Sequence, residues 1–160
     1  MEQLPKRKTI RIPDYDYSTP GAYFITICTF GREKLFWNDV GADIIRPQNL
    51  TLSATGKIAE QSILQIKDHY PNVQVDKYCI MPDHIHLILR IRSNCNGRMI
   101  SAPTVSTVVG SMKRWISRQT GKPIWQKGFY DHGIRNQQDY DEIWQYIENN
   151  PLKYMIKKGI

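Results

Sequence analysis

What this chain lacks narrows its identity first. It has no run of about 18 apolar residues, so no membrane-spanning helix is expected. The opening Met1-Glu2-Gln3-Leu4-Pro5-Lys6-Arg7-Lys8 is polar throughout. Without an apolar core it predicts no secretory leader, so the Asn49-Leu50-Thr51 sequon carries no weight. Cysteine is scarce: Cys28, Cys79 and Cys95 are odd in number and lack metal-finger spacing. Reduced thiols in a cytosol fit that pattern better than disulfides. No internal repeat or low-complexity tract is visible.

What remains is ordinary globular material. At 160 residues, 41% hydrophobic and 23% charged, the chain is long enough for one domain with a proper core. Its net charge of +7 points mildly to polyanions, and equally to simple solubility. Residues 1–20 are basic and punctuated by proline and read as an arm. Residues 21–155 form a single domain, and 156–160 a short tail.

The pattern along the chain predicts the elements. Ala22 to Thr29 is rich in β-branched and aromatic residues and reads as a strand. Residues 31–51 stay ambiguous between short strands and a turn. Ser53 looks like a helix cap, and Ile58, Ser62, Ile63, Ile66 and Tyr70 follow at helical spacing, so a helix runs over 54–69. Val73–Ile80 and His84–Arg92 read as strands joined tightly through Met81-Pro82-Asp83, an antiparallel hairpin. Residues 93–103 form a loop, 104–120 a helix and 124–134 a strand. A final helix from Asp139 should stop at Pro151, because a residue before proline avoids the helical region. The order predicts an α+β, ferredoxin-like sandwich: one antiparallel sheet, helices on one face, and a further C-terminal helix. The opposite sheet face would be left free for binding.

Within the second hairpin strand, "MPDHIHLI" holds two histidines. Alternate strand residues share a face. Ile85, Leu87, Leu89 and Ile91 form an apolar row, and His84, His86, Ile88, Arg90 and Arg92 occupy the opposite one. Two residues along a strand set Cβ atoms about 7 Å apart, close enough for both imidazoles to converge on one metal ion. Two hydrogen-bonded surface histidines would look the same, and two ligands alone make a poor metal site.

The final helix carries Tyr140, Ile143, Trp144 and Ile147 as an i, i+3, i+4, i+7 stripe, its core face. Tyr146 and Asn150 are i and i+4 neighbours on the flank of that stripe. There they could meet the histidines, the amide of Asn150 as a third ligand and the hydroxyl of Tyr146 beside the ion. A half-buried tyrosine and a C-terminal cap are the plain alternative.

These residues carry a resemblance. His84-Ile85-His86 on a strand, "IWQKGFYDHGIRN" over 124–136 and "DYDEIWQYIENNPLKY" over 139–154 are similar to HUH-superfamily single-tyrosine transposases. The REP-associated tyrosine transposases and their insertion-sequence relatives are the branch most resembled. "RIPDYDYSTPGAYFITICT" over 11–29 also resembles the opening of that group. The resemblance implies the ferredoxin-like fold, Tyr146 as nucleophile, and His84, His86 and Asn150 as ligands of a divalent metal, Mg2+ or Mn2+. It implies cleavage and rejoining of single-stranded DNA beside hairpins of REP-like palindromes, through a 5′-phosphotyrosine intermediate. A free tyrosine has a pKa of about 10, so a metal ion or a base must help remove its proton. Both monomeric and homodimeric action occur in such families. A cytoplasmic, nucleoid-associated bacterial protein is expected, and this chain ends at Ile160 where some members carry a longer tail.

Arg90, Lys113, Arg114, Lys127, His132 and Arg135 are candidates for DNA contacts, with solvated or structural roles as the alternative. Trp115 reads as core, and Trp125 as core or stacking platform. Two rivals stand beside the transferase. A non-catalytic nucleic-acid-binding module needs exposed aromatics on the middle strands, of which Tyr78 is a candidate. A metal phosphodiesterase that uses water makes Tyr146 dispensable.

Overall fold

The computed structural model describes residues 21–38, 51–92 and 103–159. The basic arm, the sequon, most of the 93–103 loop, Cys95 and Ile160 lie outside them. Four strands build the sheet: β1 (Gly21–Cys28), β2 (Val73–Ile80), β3 (His84–Ile91) and β4 (Tyr130–Gly133). The helices are α1 (Ala54–Leu64), α2 (Ile66–His69), α3 (Val105–Thr120) and α4 (Gln137–Lys158). Strand order is β2-β3-β1-β4, every pair antiparallel. This is the expected sandwich order, with the β2–β3 hairpin closed by the Met81 N–H donating to the His84 carbonyl at 2.8 Å.

Alternation sorts the side chains. Tyr23, Ile25 and Ile27 of β1 join Ile85, Leu87, Leu89 and Ile91 of β3 in the main core. The apolar stripe of α3 (Val105, Val108, Val109, Met112, Ile116) and Ala59 and Ile63 of α1 close over them. The Ser53 cap acts where the sequence places it, its Oγ accepting from Gly56 N–H at 3.0 Å; Thr104, read as the first residue of its helix, is instead the cap, its Oγ1 accepting from Thr107 N–H at 3.1 Å. Each satisfies an otherwise orphaned donor of a first turn.

The structure changes several expectations. The 54–69 helix is divided at Gln65 into α1 and α2. Only Tyr130–Gly133 of the 124–134 segment is strand, with Trp125 forming an isolated bridge to Thr29. Residues 30–32 form a 3-10 turn, and Trp37 bridges to Leu52.

The final helix does not stop at Pro151; the proline lies inside α4. Proline has no N–H for the Ile147 carbonyl, a cost that tertiary packing offsets here. Beyond it Met155 is buried, and the Tyr154 ring meets Trp37 edge-on at 5.5 Å. Nor is the second sheet face free. Ile147 is buried with Ala22, Cys79, Met81 and Ile88, and Tyr140, Ile143, Trp144 and Tyr154 pack around them. α4 covers that face, so the sheet is sandwiched on both sides.

Candidate active site

His84 and His86 lie on this second face. Their cross-strand partners on β1 are Cys28 and Thr26. The two Nε2 atoms stand 3.1 Å apart. Each Nδ1 is held: His84 by Asp83 Oδ1 at 2.6 Å, His86 by Thr26 Oγ1 at 2.8 Å. A carboxylate only accepts, so His84 carries its proton on Nδ1 and turns a lone pair outward at Nε2. The Thr26 hydroxyl rotates, so it can accept from His86 Nδ1–H or donate to a bare Nδ1. Both imidazoles are thereby oriented from behind, as ligating histidines are.

Electrostatics keep the pair uncharged. Burial lowers His84 against the opposing pull of Asp83. Burial, then the neighbouring His84 and Arg32, pushes His86 down to about 3. Neutral imidazole is the form that binds metal.

Asp83 is itself gripped. Arg32 Nε donates to its second oxygen at 3.0 Å, and Arg32 Nη1 donates to Cys28 Sγ at 2.9 Å. Thr29 fixes the same turn, its N–H and hydroxyl both donating to the Asp83 carbonyl at 3.0 and 3.1 Å.

α4 brings Tyr146 to the pair. Its ring stands edge-on to His86 at 5.3 Å and to Phe24 at 6.1 Å, while Phe24 stacks on His86 at 5.3 Å. Tyr146 remains 47% exposed, so this contact leaves much of the residue accessible to a ligand. α4 is pinned along its length. Tyr140 O–H donates to Asp76 Oδ2 at 2.9 Å, and Arg90 pairs with the same oxygen at 2.7 Å. A register shift in β2 between Val75 and Lys77 leaves Asp76 outside the pairing with β3. One turn along, Lys77 lies 4.7 Å over the Trp144 ring and 3.6 Å from Glu148. At the start of α4, Asn136 Oδ1 accepts from Asp139 N–H at 2.8 Å, and Asp139 pairs with His132 at 2.8 Å.

A divalent ion is tested against these residues. Two nitrogens bound to one ion at about 2.1 Å are about 3.0 Å apart at a right angle and about 3.4 Å at the tetrahedral angle. The observed 3.1 Å separation lies between. Among the described residues no three His, Cys, Asp or Glu cluster as a metal site, so a third ligand must be of another kind. Asn150, one turn beyond Tyr146, has a buried side-chain nitrogen with no hydrogen-bond partner. A half-turn of the amide exchanges that atom for an acceptor oxygen. Two imidazoles and an amide suit Mn2+, and Mg2+ less closely.

The other sequence candidates are scattered. Arg90 is paired with Asp76 beneath α4. Lys113, on α3 across the sheet, donates to the carbonyls of Gln126 and Gly128, both at 2.9 Å. Arg114, Lys127 and Arg135 are exposed. Trp115 and Trp125 pack against the main core, and Trp125 meets Phe36 at 5.6 Å. Tyr78 faces that core too and donates to Glu60 at 2.8 Å, so it offers no platform on the histidine face. Arg32, Asp83, Thr26 and Phe24 escape sequence reasoning as site residues. Asp83, next to the first histidine in "MPDHIH", was the only one with a local signal.

Comparison with known proteins bears on the fold and the family. The solved structure of a REP-associated tyrosine transposase bound to a REP hairpin shares the fold, with a TM-score of 0.62 at 23% identity. The match spans 89% of this chain and 74% of that one. An uncharacterised protein of Haemophilus influenzae is 29% identical over 165 residues, 91% of this chain and 88% of the relative. A REP-associated tyrosine transposase of Escherichia coli is 26% identical over 104 residues, 64% of this chain and 58% of the relative. No described helix is long and apolar enough to cross a membrane. The model of the family described as IS200-like transposases matches residues 23–150, a span that holds the histidine pair, Tyr146 and Asn150. The chain belongs to the IS200-like transposase family.

Proposed function

We propose that this protein cuts and rejoins single-stranded DNA beside hairpins such as REP-like palindromes, in a metal-dependent reaction through a 5′-phosphotyrosine. The observation that carries this reading is the seating of Tyr146 edge-on against His86, whose Nε2 faces that of His84. The hairpin is inferred from the solved relative, which shares the fold and is described as bound to one.

His84, His86 and Asn150 would hold Mg2+ or Mn2+. Such an ion, when bound, polarises the scissile phosphate and offsets charge in the transition state. Asp83 and Thr26 keep both imidazoles aimed. Phe24 and His86 hold the Tyr146 ring while the exposed part of the residue admits the strand. Tyr146 Oη attacks the phosphorus; the new O–P bond forms as the bond from phosphorus to the upstream 3′ oxygen breaks. The tyrosine proton passes to solvent, and the leaving oxygen takes one up as a 3′-hydroxyl. One phosphodiester replaces another, so the bond energy is kept and no ATP is needed. An incoming 3′-hydroxyl then attacks the same phosphorus, and Tyr146 leaves and regains its proton.

The test is covalent capture. The protein is incubated with Mn2+ and 3′-end-labelled single-stranded hairpins from its own flanking DNA, then run on a denaturing gel. A labelled adduct that disappears in Tyr146→Phe and in EDTA is the expected result. Cleavage that survives Tyr146→Phe would mean a water-using phosphodiesterase. Binding without cleavage would mean a nucleic-acid-binding module.

A further inference from the structure

We propose that Arg32 is a DNA-phosphate-binding residue of this site, taking the backbone phosphate next to the reacting one. The inference rests on the reading that single-stranded DNA is the substrate. Arg32 has φ 56° and follows Gly31 at φ 62°. Left-handed backbone is costly at a residue with a Cβ, and such strain concentrates at functional sites. Two left-handed residues in succession reverse the chain just past β1. The guanidinium therefore folds back over Cys28 and the Asp83–His84 turn.

Donor arithmetic shows what the guanidinium has left. Nε is used on Asp83, and one Nη1 hydrogen on Cys28 Sγ. Nη2 lies 3.5 Å from His84 Nδ1, but that nitrogen gives its own proton to Asp83 and cannot accept. Three of five N–H groups remain, on a side chain 53% exposed. An exposed ion pair with Asp83 contributes too little to stability to account for the strained backbone. Asp83 instead works as a strut that keeps the guanidinium at the rim of the histidine pair. The guanidinium sits on the Nδ1 side of His84, whereas the reacting phosphate belongs on the Nε2 side. Its reach is thus to the adjacent phosphate of the same strand, held as a charge-assisted contact.

The experiment is the salt dependence of binding, with the full chain, a fluorescent single-stranded oligonucleotide and EDTA throughout. Each phosphate contact contributes about 0.7 to the slope of log Kobs against log salt for a single strand. Arg32→Gln keeps an N–H for Asp83 and removes the charge; its slope should fall by about 0.7. Arg32→Lys should retain most of the slope, and Arg118→Ala, exposed on α3 across the sheet, all of it. A slope unchanged in Arg32→Gln, or a wild type that binds no single strand, overturns the proposal. Covalent capture separates the two readings. An adduct with an unchanged Arg32→Gln slope removes the contact alone. A lowered slope without any adduct removes the strand-transfer reading and leaves the contact standing.

Discussion

The hydroxyl of Thr26 on β1 lies 2.8 Å from Nδ1 of His86 on β3, directly across the strand pair. That one contact is compatible with either tautomer of His86, according to which way the hydroxyl turns. With Thr26 accepting, Nε2 is a bare lone pair beside that of His84. With Thr26 donating, Nε2–H can bond His84 Nε2 at 3.1 Å. The Thr26 hydroxyl can thus serve either tautomer without any movement of the backbone.

Thr26→Val keeps the shape of a strand residue and removes the acceptor. Mn2+ affinity, measured by calorimetry, should fall about 10- to 100-fold, as for other partners of ligating histidines. The far-UV spectrum should stay unchanged. Equal affinity in the variant would sink the tautomer argument.

Asn150 should separate stability from ligation. Its side-chain nitrogen is buried without a partner, and an orphaned donor costs about 1–3 kcal/mol. Asn150→Ala should therefore leave the Tm of the metal-free protein unchanged or slightly raised, while weakening Mn2+ binding. A large loss of Tm with metal affinity intact would make Asn150 a structural residue only.

Tyr140 and Asp76 latch α4 to the sheet. Tyr140→Phe removes one hydrogen bond to a carboxylate, worth about 1.5 kcal/mol. Urea unfolding should show that loss, and hydrogen exchange should show α4 opening more readily. If the latch also places Tyr146, adduct formation slows in the variant. Unchanged exchange in α4 would show that apolar packing alone seats the helix.

Tyr78 gives a pH test remote from the site. Burial first, then the hydrogen bond and charge of Glu60, push its pKa up to about 12. The folded value lies above the unfolded value of about 10. Its contribution to stability is complete below pH 10 and is lost as pH rises through 12. Tyr78→Phe should show a shallower decline in stability over that window. Parallel curves for the two proteins would mean the folded tyrosine titrates normally.

Much of the sandwich was legible because its signals are local. Period-2 alternation sorted β3 into two faces, β-branched and aromatic residues marked β1, and Ser53 announced its helix. The misreadings share one cause. Pro151 signals a helix end only when nothing else holds the backbone, and Trp37, far away in the chain, supplies that hold through the Tyr154 ring. The histidine face looked open because no local pattern states where a helix 60 residues later will lie.

The sequence by itself determined that His84 and His86 face one way, and that Tyr146 and Asn150 share a helix flank. Strand and helix periods settle such relations within a few residues. Only the tertiary structure decided that the flank meets the face, that Thr26 and Asp83 stand behind the rings, and that Arg32 folds back beside them. Those relations depend on strand register, on the docking of α4 and on a left-handed turn. Each is set by packing between segments far apart in the chain.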